Sequence, residues 1–124
     1  SDCVGEIHDL HNYPNPVLYL YDPTRVNVLG EYGGIGWPVE GHLWQNDQNW
    51  GYIQYKSAEE VLQTYETYGL QLESLADYGF SSAIYTQITD VEGEVNGLMT
   101  YDRKVVKLDI DRLRHINTIV INSL

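Results

Sequence analysis

The sequence predicts an α/β fold in which the strands run parallel to one another. Three observations support this class: three short apolar segments resemble strands, two segments have helical periodicity, and strands and helices alternate in the second half of the chain. Strands that alternate with helices usually pair in parallel. The chain has 124 residues, of which 43% are hydrophobic, and this is enough for the core of one domain.

The predicted strands come first. Residues 4–10 form a short apolar segment that ends at a loop containing two prolines, which break both helices and strands. A second strand is predicted over residues 25–32 and runs into the glycine-rich turn 33–36. Residues 37–56 have loop composition, and a loop of this length is more often functional than a short one. The third strand is predicted over residues 81–88.

Two helices are predicted. Ser57 is a good N-cap, and Glu60 follows it at the spacing of a capping box. Gly79 is expected near the C-terminal end of this helix. Residues 108–119 form a weaker second helix with an apolar face. The apolar stripe of the first helix consists of Val61, Tyr65, Tyr68, Leu72 and Leu75.

Charge and composition exclude several classes of function. The chain carries 7 basic and 18 acidic residues, a net charge of −11, which disfavours binding to nucleic acids and to anionic membrane surfaces. Cys3 is the only cysteine, and no His lies at a motif spacing from it, so we expect neither a disulfide nor a thiol nucleophile. No metal-binding or dinucleotide-binding motif is present, so we expect no metal and no cofactor.

A strand-end carboxylate is the sharpest catalytic candidate. Glu31 closes the second predicted strand, and the glycines that follow leave space beside it. Glycoside hydrolysis requires a fixed carboxylate of this kind as nucleophile or base. The alternative is that Glu31 forms a salt bridge within a loop. At the end of the first strand, alternation would direct Asp9, His11 and Tyr13 to one side, where a Tyr hydroxyl could donate to the carboxylate. His11 and Tyr13 could instead satisfy only loop backbone groups.

Three tryptophans lie in the long loop. Trp37, Trp44 and Trp50 could stack on sugar rings, because Trp has an extended apolar face and a polar N–H. They could equally pack the loop onto the domain.

The sequence resembles glycoside hydrolase family 2, which includes β-galactosidases, β-glucuronidases and β-mannosidases. Residues 28–34 (Val-Leu-Gly-Glu-Tyr-Gly-Gly) resemble the nucleophile strand of that family. Residues 9–14 (Asp-Leu-His-Asn-Tyr-Pro) resemble the preceding strand, and residues 82–103 resemble the last strand and its loop. The resemblance covers nearly the whole chain.

The resemblance implies a fold and an activity. The catalytic domain of the family is a (β/α)₈ TIM barrel, and a whole barrel takes about 250 residues. Residues 1–124 would then be its C-terminal portion, with about three βα units and strands six to eight. The implied activity is that of a retaining, exo-acting β-glycosidase. Its acid/base glutamate lies in an Asn-Glu pair that this chain lacks, so we expect the chain alone to be inactive and to need the rest of the barrel, its missing N-terminal half, as a partner.

The resemblance also implies roles for individual residues. Glu31 matches the nucleophile, and Tyr13 matches the tyrosine that hydrogen-bonds the nucleophile. Tyr85 falls where family members carry a tryptophan at the sugar subsite. The remaining predicted substrate-binding residues are His11, Asn12, Trp37 and Trp44. A carbohydrate is the expected ligand.

Two readings stay open beside the enzyme, namely a non-catalytic carbohydrate-binding module and a structural module. The chain begins with Ser1 and not with Met, and we expect it to be an excerpt of a longer protein. No compartment is predicted, although members of the family are often secreted or periplasmic.

Overall fold

A computed structural model describes residues 4–124, so Cys3 lies outside the described residues. Its elements, in chain order, are the strands β1 (Ile7–His11), β2 (Val26–Gly33), β3 (Ile35–Gly36) and β4 (Ile53–Gln54), the helix α1 (Ala58–Ala76), the strand β5 (Phe80–Thr86) and the helix α2 (Ile110–Ser123).

The strands form two small sheets. The larger sheet has the order β1-β2-β5, and both pairings are parallel, which confirms the predicted parallel arrangement. A two-stranded parallel sheet of β3 and β4 lies beside it. The register of the larger sheet shifts at three places, between Leu10 and His11, between Asn27 and Val28, and between Leu29 and Tyr32. The first and the last of these shifts lie close to the C-terminal ends of β1 and β2.

The predicted fold class is wrong: the chain is not a TIM-barrel portion made of three βα units. Residues 4–124 contain only two helices, and the strands belong to sheets of three and two strands. The segment between β1 and β2 has no helix. Pro14, Pro16 and Pro23 interrupt it, and proline removes the N–H that a helix interior requires.

The predicted start of the first helix is confirmed. The N–H of Glu60 donates to Oγ of Ser57 at 3.3 Å, and Oε2 of Glu60 accepts from the N–H of Lys56 at 3.0 Å. This is a variant of the capping box in which the Glu60 carboxylate accepts from the residue that precedes the N-cap. The helix ends at Ala76, and Gly79 lies in the following turn with a φ of 96°.

The core lies between the three-stranded sheet and the two helices. Gly69 of α1 meets Ile116 of α2 so closely that an added Cβ would overlap the Ile116 side chain. Burial of apolar side chains at about 25 cal/mol per Å² is the main stabilising contribution. The buried apolar residues of the core are Leu10, Leu29, Tyr32, Ile35, Val61, Leu62, Tyr65, Tyr68, Leu72, Phe80, Leu108 and Ile116.

One face of the larger sheet packs against α1, and the side chains on that face are buried or partly buried. Tyr32 of β2 is buried and contacts Tyr85 of β5, whose ring packs on Tyr65 of α1. Successive side chains of a strand point to opposite faces. Glu31 directly precedes Tyr32 and therefore projects to the opposite face, because the register shift between Leu29 and Tyr32 interrupts the alternation that begins at the buried Leu29. No helix in the described part of the chain is long and apolar enough to cross a membrane.

Candidate active site around Glu31

Glu31 lies where three segments of the chain meet. The N–H of Gly33 donates to the carbonyl of Pro14 at 2.8 Å, and the N–H of Gly34 donates to the carbonyl of Thr86 at 2.8 Å. Both glycines have positive φ values, 101° and 63°, which side chains with a Cβ rarely adopt. The turn after β2 therefore holds the segments that follow β1 and β5 beside the carboxylate.

Tyr13 is the closest partner of the carboxylate. Its hydroxyl lies 2.7 Å from Oε2 of Glu31 and 2.8 Å from Oγ1 of Thr86. A phenol has one proton, so Tyr13 donates to Glu31 when Thr86 donates to Tyr13. Burial, reinforced by the contact with Glu31, raises the pKa of Tyr13 well above its usual value. Tyr13 therefore stays protonated and acts as a permanent donor to the carboxylate.

His11 bridges two carboxylates. Its Nδ1 lies 3.4 Å from Oε2 of Glu31, and its Nε2 lies 3.0 Å from Oδ2 of Asp9. The carboxylate of Asp9 occupies the space above Gly30, where an added Cβ would overlap it. The predicted placement of Asp9, His11 and Tyr13 on one side is confirmed by these contacts.

Only one of the two carboxylate oxygens of Glu31 has hydrogen-bonding partners in the described part of the chain. Both Tyr13 and His11 contact Oε2, and no hydrogen bond from residues 4–124 reaches Oε1. The Glu31 side chain is 43% exposed, so Oε1 is accessible to a ligand. A held carboxylate with one accessible oxygen can act as a nucleophile or as a base.

Two predicted ligand-binding residues point elsewhere. The Nδ2 of Asn12 donates to the carbonyl of Asn15 at 2.7 Å, so this side chain stabilises its own loop. The ring of Tyr85 packs edge-on against Tyr32 and Tyr65 on the helix side of the sheet. Burial raises the pKa of Tyr85 strongly. Neither side chain contacts the Glu31 carboxylate.

The predicted tryptophans are also separate from Glu31. The Trp37 side chain is partly buried against the core, and the backbone N–H of Trp37 donates to the carbonyl of Val95 at 2.9 Å. Trp44 is 61% exposed and packs edge-on against Tyr101 at a ring distance of 5.5 Å. In the described contacts, neither indole is joined to the partners of Glu31.

Sequence reasoning missed Tyr52 and Thr86, and it named Trp50 only as one of three loop tryptophans that could stack on sugar rings. The Tyr52 ring stacks on Tyr13 at 3.7 Å and 6°, and Trp50 meets Tyr52 edge-on at 5.6 Å. Aromatic residues at positions i and i+2 of an extended segment point to the same side. The Trp-Gly-Tyr sequence over residues 50–52 could therefore have indicated two aromatic rings on the same side of the chain. The role of Thr86 had no comparable local signal.

A buried ion pair holds the loops behind the site. The Nζ of Lys107 donates to Oδ1 of Asp90 at 2.7 Å, to the carbonyl of Trp37 at 2.8 Å and to that of Val95 at 2.9 Å. Both side chains are almost fully buried. Burial raises the pKa of Asp90 and lowers that of Lys107. The pair therefore joins the segment at Trp37 to the two segments that follow β5.

The site is acidic and has no identified proton donor opposite Glu31. Among the described residues, the Glu31 carboxylate contacts only Tyr13 and His11, and no Lys or Arg forms an ion pair with it. A retaining glycosidase needs a second carboxyl group roughly 5–5.5 Å away. No cluster of three or more His, Cys, Asp or Glu side chains suited to a metal ion occurs in residues 4–124.

A surface groove lies apart from this chemistry. It has a volume of about 560 Å³ and runs between residues 15–18 and the outer side of α1, with Leu75 and Tyr78 in its wall. None of its lining residues is charged. Size alone would favour this groove, but we place the candidate site at Glu31 because catalysis requires convergent polar groups.

No family model matches the chain, and no curated protein sequence is significantly similar to it. What defines the site is therefore its geometry: an accessible carboxylate held by a protonated phenol and an imidazole, with exposed aromatic rings beside it.

Proposed function

We propose that this chain carries the catalytic nucleophile, Glu31, of a retaining, exo-acting β-glycosidase. The observation that supports this most is the 2.7 Å hydrogen bond from Tyr13 to Oε2, which leaves Oε1 accessible. The resemblance of residues 28–34 to a glycosidase nucleophile strand agrees with this role. The proposal depends on the site and not on the barrel architecture expected from that resemblance.

The reaction would proceed in two displacements. Oε1 of Glu31 attacks the anomeric carbon and forms an ester bond while the bond from that carbon to the leaving oxygen breaks. The leaving oxygen takes a proton from a general acid. Water, deprotonated by the same group, then attacks the anomeric carbon and releases Glu31. Tyr13 keeps the carboxylate in one orientation through both steps, because its burial preserves the phenolic proton.

The chain by itself would turn over unactivated glycosides very slowly or not at all. The proton donor is not among the partners of Glu31 in the described residues. General acid catalysis typically contributes about 10²–10⁴-fold to the rate. We propose that a further polypeptide segment supplies this group in the complete enzyme.

The test uses a substrate that needs no proton donor. A fluorinated β-glycosyl donor with a dinitrophenolate leaving group departs without protonation, and its fluorine slows hydrolysis of the ester. We expect the chain to gain one glycosyl unit by intact mass, and peptide mapping to locate it on Glu31. Glu31→Gln should gain none, and the exposed control Glu40→Gln should react as the unmodified protein does. No adduct with galactosyl, glucosyl or mannosyl donors would refute the proposal.

A non-catalytic carbohydrate-binding module is the second candidate. The exposed rings of Tyr52 and Trp50 favour it, because they pack edge-on against each other and Tyr52 also stacks on Tyr13. This alternative predicts sugar binding that Glu31→Gln leaves intact and no covalent adduct with any donor. The adduct experiment therefore separates the two functions.

A further inference from the structure

A row of aromatic rings leads outward from Glu31. Tyr13 donates to the carboxylate, Tyr52 stacks on Tyr13, and Trp50 meets the edge of Tyr52. Trp50 is 46% exposed and Tyr52 is 49% exposed. The row therefore begins at a carboxylate and ends in two large rings that are open to solvent.

A row of polar side chains reaches the same place by a second route. Gln87, directly after Thr86, donates from Nε2 to Oδ1 of Asn96 at 2.7 Å. Asn96 in turn donates from Nδ2 to Oε1 of Glu94 at 3.0 Å. Glu94 is the bridge partner of Trp50. The two routes both start at the Tyr13 hydroxyl and converge where the backbone of Trp50 pairs with that of Glu94, and together they are called the circuit below.

The members of this circuit are fixed in place. The Tyr52 ring lies over Gly34, where an added Cβ would overlap it. The carbonyl of Trp50 accepts from the N–H of Val95 at 2.8 Å. Asn96 is fully buried, so the oxygen of Glu94 that it holds cannot rotate freely. Rigid exposed rings bind a ligand with little loss of entropy.

Three carboxylates lie around the circuit. Asp9, Glu31 and Glu94 all bear carboxylates, and within residues 4–124 no Lys or Arg forms an ion pair with any of them. Carboxylates accept hydrogen bonds from hydroxyl groups and repel other carboxylates. The circuit therefore suits an uncharged polyhydroxyl ligand with an apolar face.

We infer that Trp50, Tyr52 and Glu94 form the subsite for an uncharged pyranose ring, and that Glu94 discriminates against uronic acids. The rings stack on the apolar face of the sugar, and Glu94 accepts from its hydroxyl groups. The link of this subsite to hydrolysis rests on the proposed function of Glu31. The binding itself does not depend on turnover.

The test is an NMR titration of the full chain at pH 7 and constant ionic strength. The probes are methyl β-glucopyranoside and methyl β-galactopyranoside, each compared with its own uronate. We expect a neutral glycoside to bind with a Kd on the order of 1 mM and to shift the Trp50 indole N–H signal. The matching uronate should bind at least tenfold more weakly.

Single substitutions test the separate roles of Trp50 in stacking and of Glu94 in discrimination. Trp50→Ala should weaken binding of the neutral glycoside at least tenfold, whereas Trp44→Ala, which removes an exposed indole elsewhere, should leave it unchanged. Glu94→Gln should reduce the preference for the neutral sugar to below threefold, a ratio that a merely structural role would not alter. The inference is overturned if no neutral glycoside binds, if uronates bind equally well, or if Trp44→Ala matches Trp50→Ala.

The experiments can refute the glycosidase function of Glu31 and the pyranose subsite at Trp50 independently of each other. Sugar binding at Trp50 without an adduct on Glu31 would overturn the glycosidase and leave the subsite. An adduct on Glu31 without a shift at Trp50 would overturn the subsite and leave the glycosidase. Glu31→Gln should abolish the adduct while the Trp50 signal still shifts with the neutral sugar.

Discussion

The Tyr13 hydroxyl lies 2.7 Å from Oε2 of Glu31, although 18 positions separate the two residues in the sequence. The contact forms because β1 and β2 are parallel neighbours, so their C-terminal ends lie side by side. Thr86, 73 positions from Tyr13, completes the arrangement from the third strand of the same sheet. Parallel strands thus bring three distant positions to one carboxylate.

Tyr13→Phe should slow formation of the Glu31 adduct by about tenfold, because a hydrogen bond to a charged group contributes about 1.5 kcal/mol or more. Phenylalanine keeps the stack on Tyr52, so sugar binding should change little. The measurement is the rate of mass gain with the fluorinated donor. Thr86→Val is the graded control and should slow the reaction less, since it removes only the group that orients Tyr13. An unchanged rate in Tyr13→Phe would mean that the phenol has no positioning role.

Lys107→Met should lower the free energy of unfolding by about 3–5 kcal/mol, because it leaves the buried Asp90 without its cation. Urea denaturation monitored by tryptophan fluorescence would measure the loss. The exposed Lys104→Met serves as the matched control and should cost about 0.5 kcal/mol or less. Adding Asp90→Asn to Lys107→Met should recover part of the stability. A single variant as stable as the unmodified chain would contradict this account of the pair.

Asp102→Asn should reduce stability at neutral pH, and the reduction should shrink in acid. Hydrogen bonds from Thr100 and His42 lower the pKa of Asp102 below its usual value. A carboxylate with a lowered folded-state pKa stabilises the fold above its unfolded pKa of about 3.9, and this contribution is lost as the pH falls towards the folded pKa. Urea unfolding at a series of pH values from about 7 to 2.5 would show the convergence.

The exposed Asp47→Asn is the control for Asp102→Asn. Its stability should track that of the unmodified chain across the same pH series. A difference between Asp102→Asn and the unmodified chain that stays constant down to the lowest pH would show that the effect is steric and not linked to the charge of Asp102.

Local signals predicted the three longer strands and both helices, but they missed the two-residue strands β3 and β4, which lie in segments predicted as a turn and a loop. The start of α1 at Ser57, its apolar stripe and the parallel strands are all encoded within short windows of sequence, because caps and periodicity depend on near neighbours. The fold class was wrong for a different reason. The prediction of a TIM-barrel portion came from the resemblance of residues 9–14, 28–34 and 82–103 to one enzyme family, whereas the prolines between β1 and β2 leave no helix there.

The sequence by itself determined which carboxylate ends a strand beside a glycine turn, and that Tyr13 and His11 could reach it. Only the tertiary structure decided that Tyr85 packs towards α1, that Tyr52 stacks on Tyr13, and how Thr86 completes the site. The physical reason is distance along the chain. A strand end is a local property, whereas the face on which a distant side chain lands depends on strand order and on register shifts that no short window encodes.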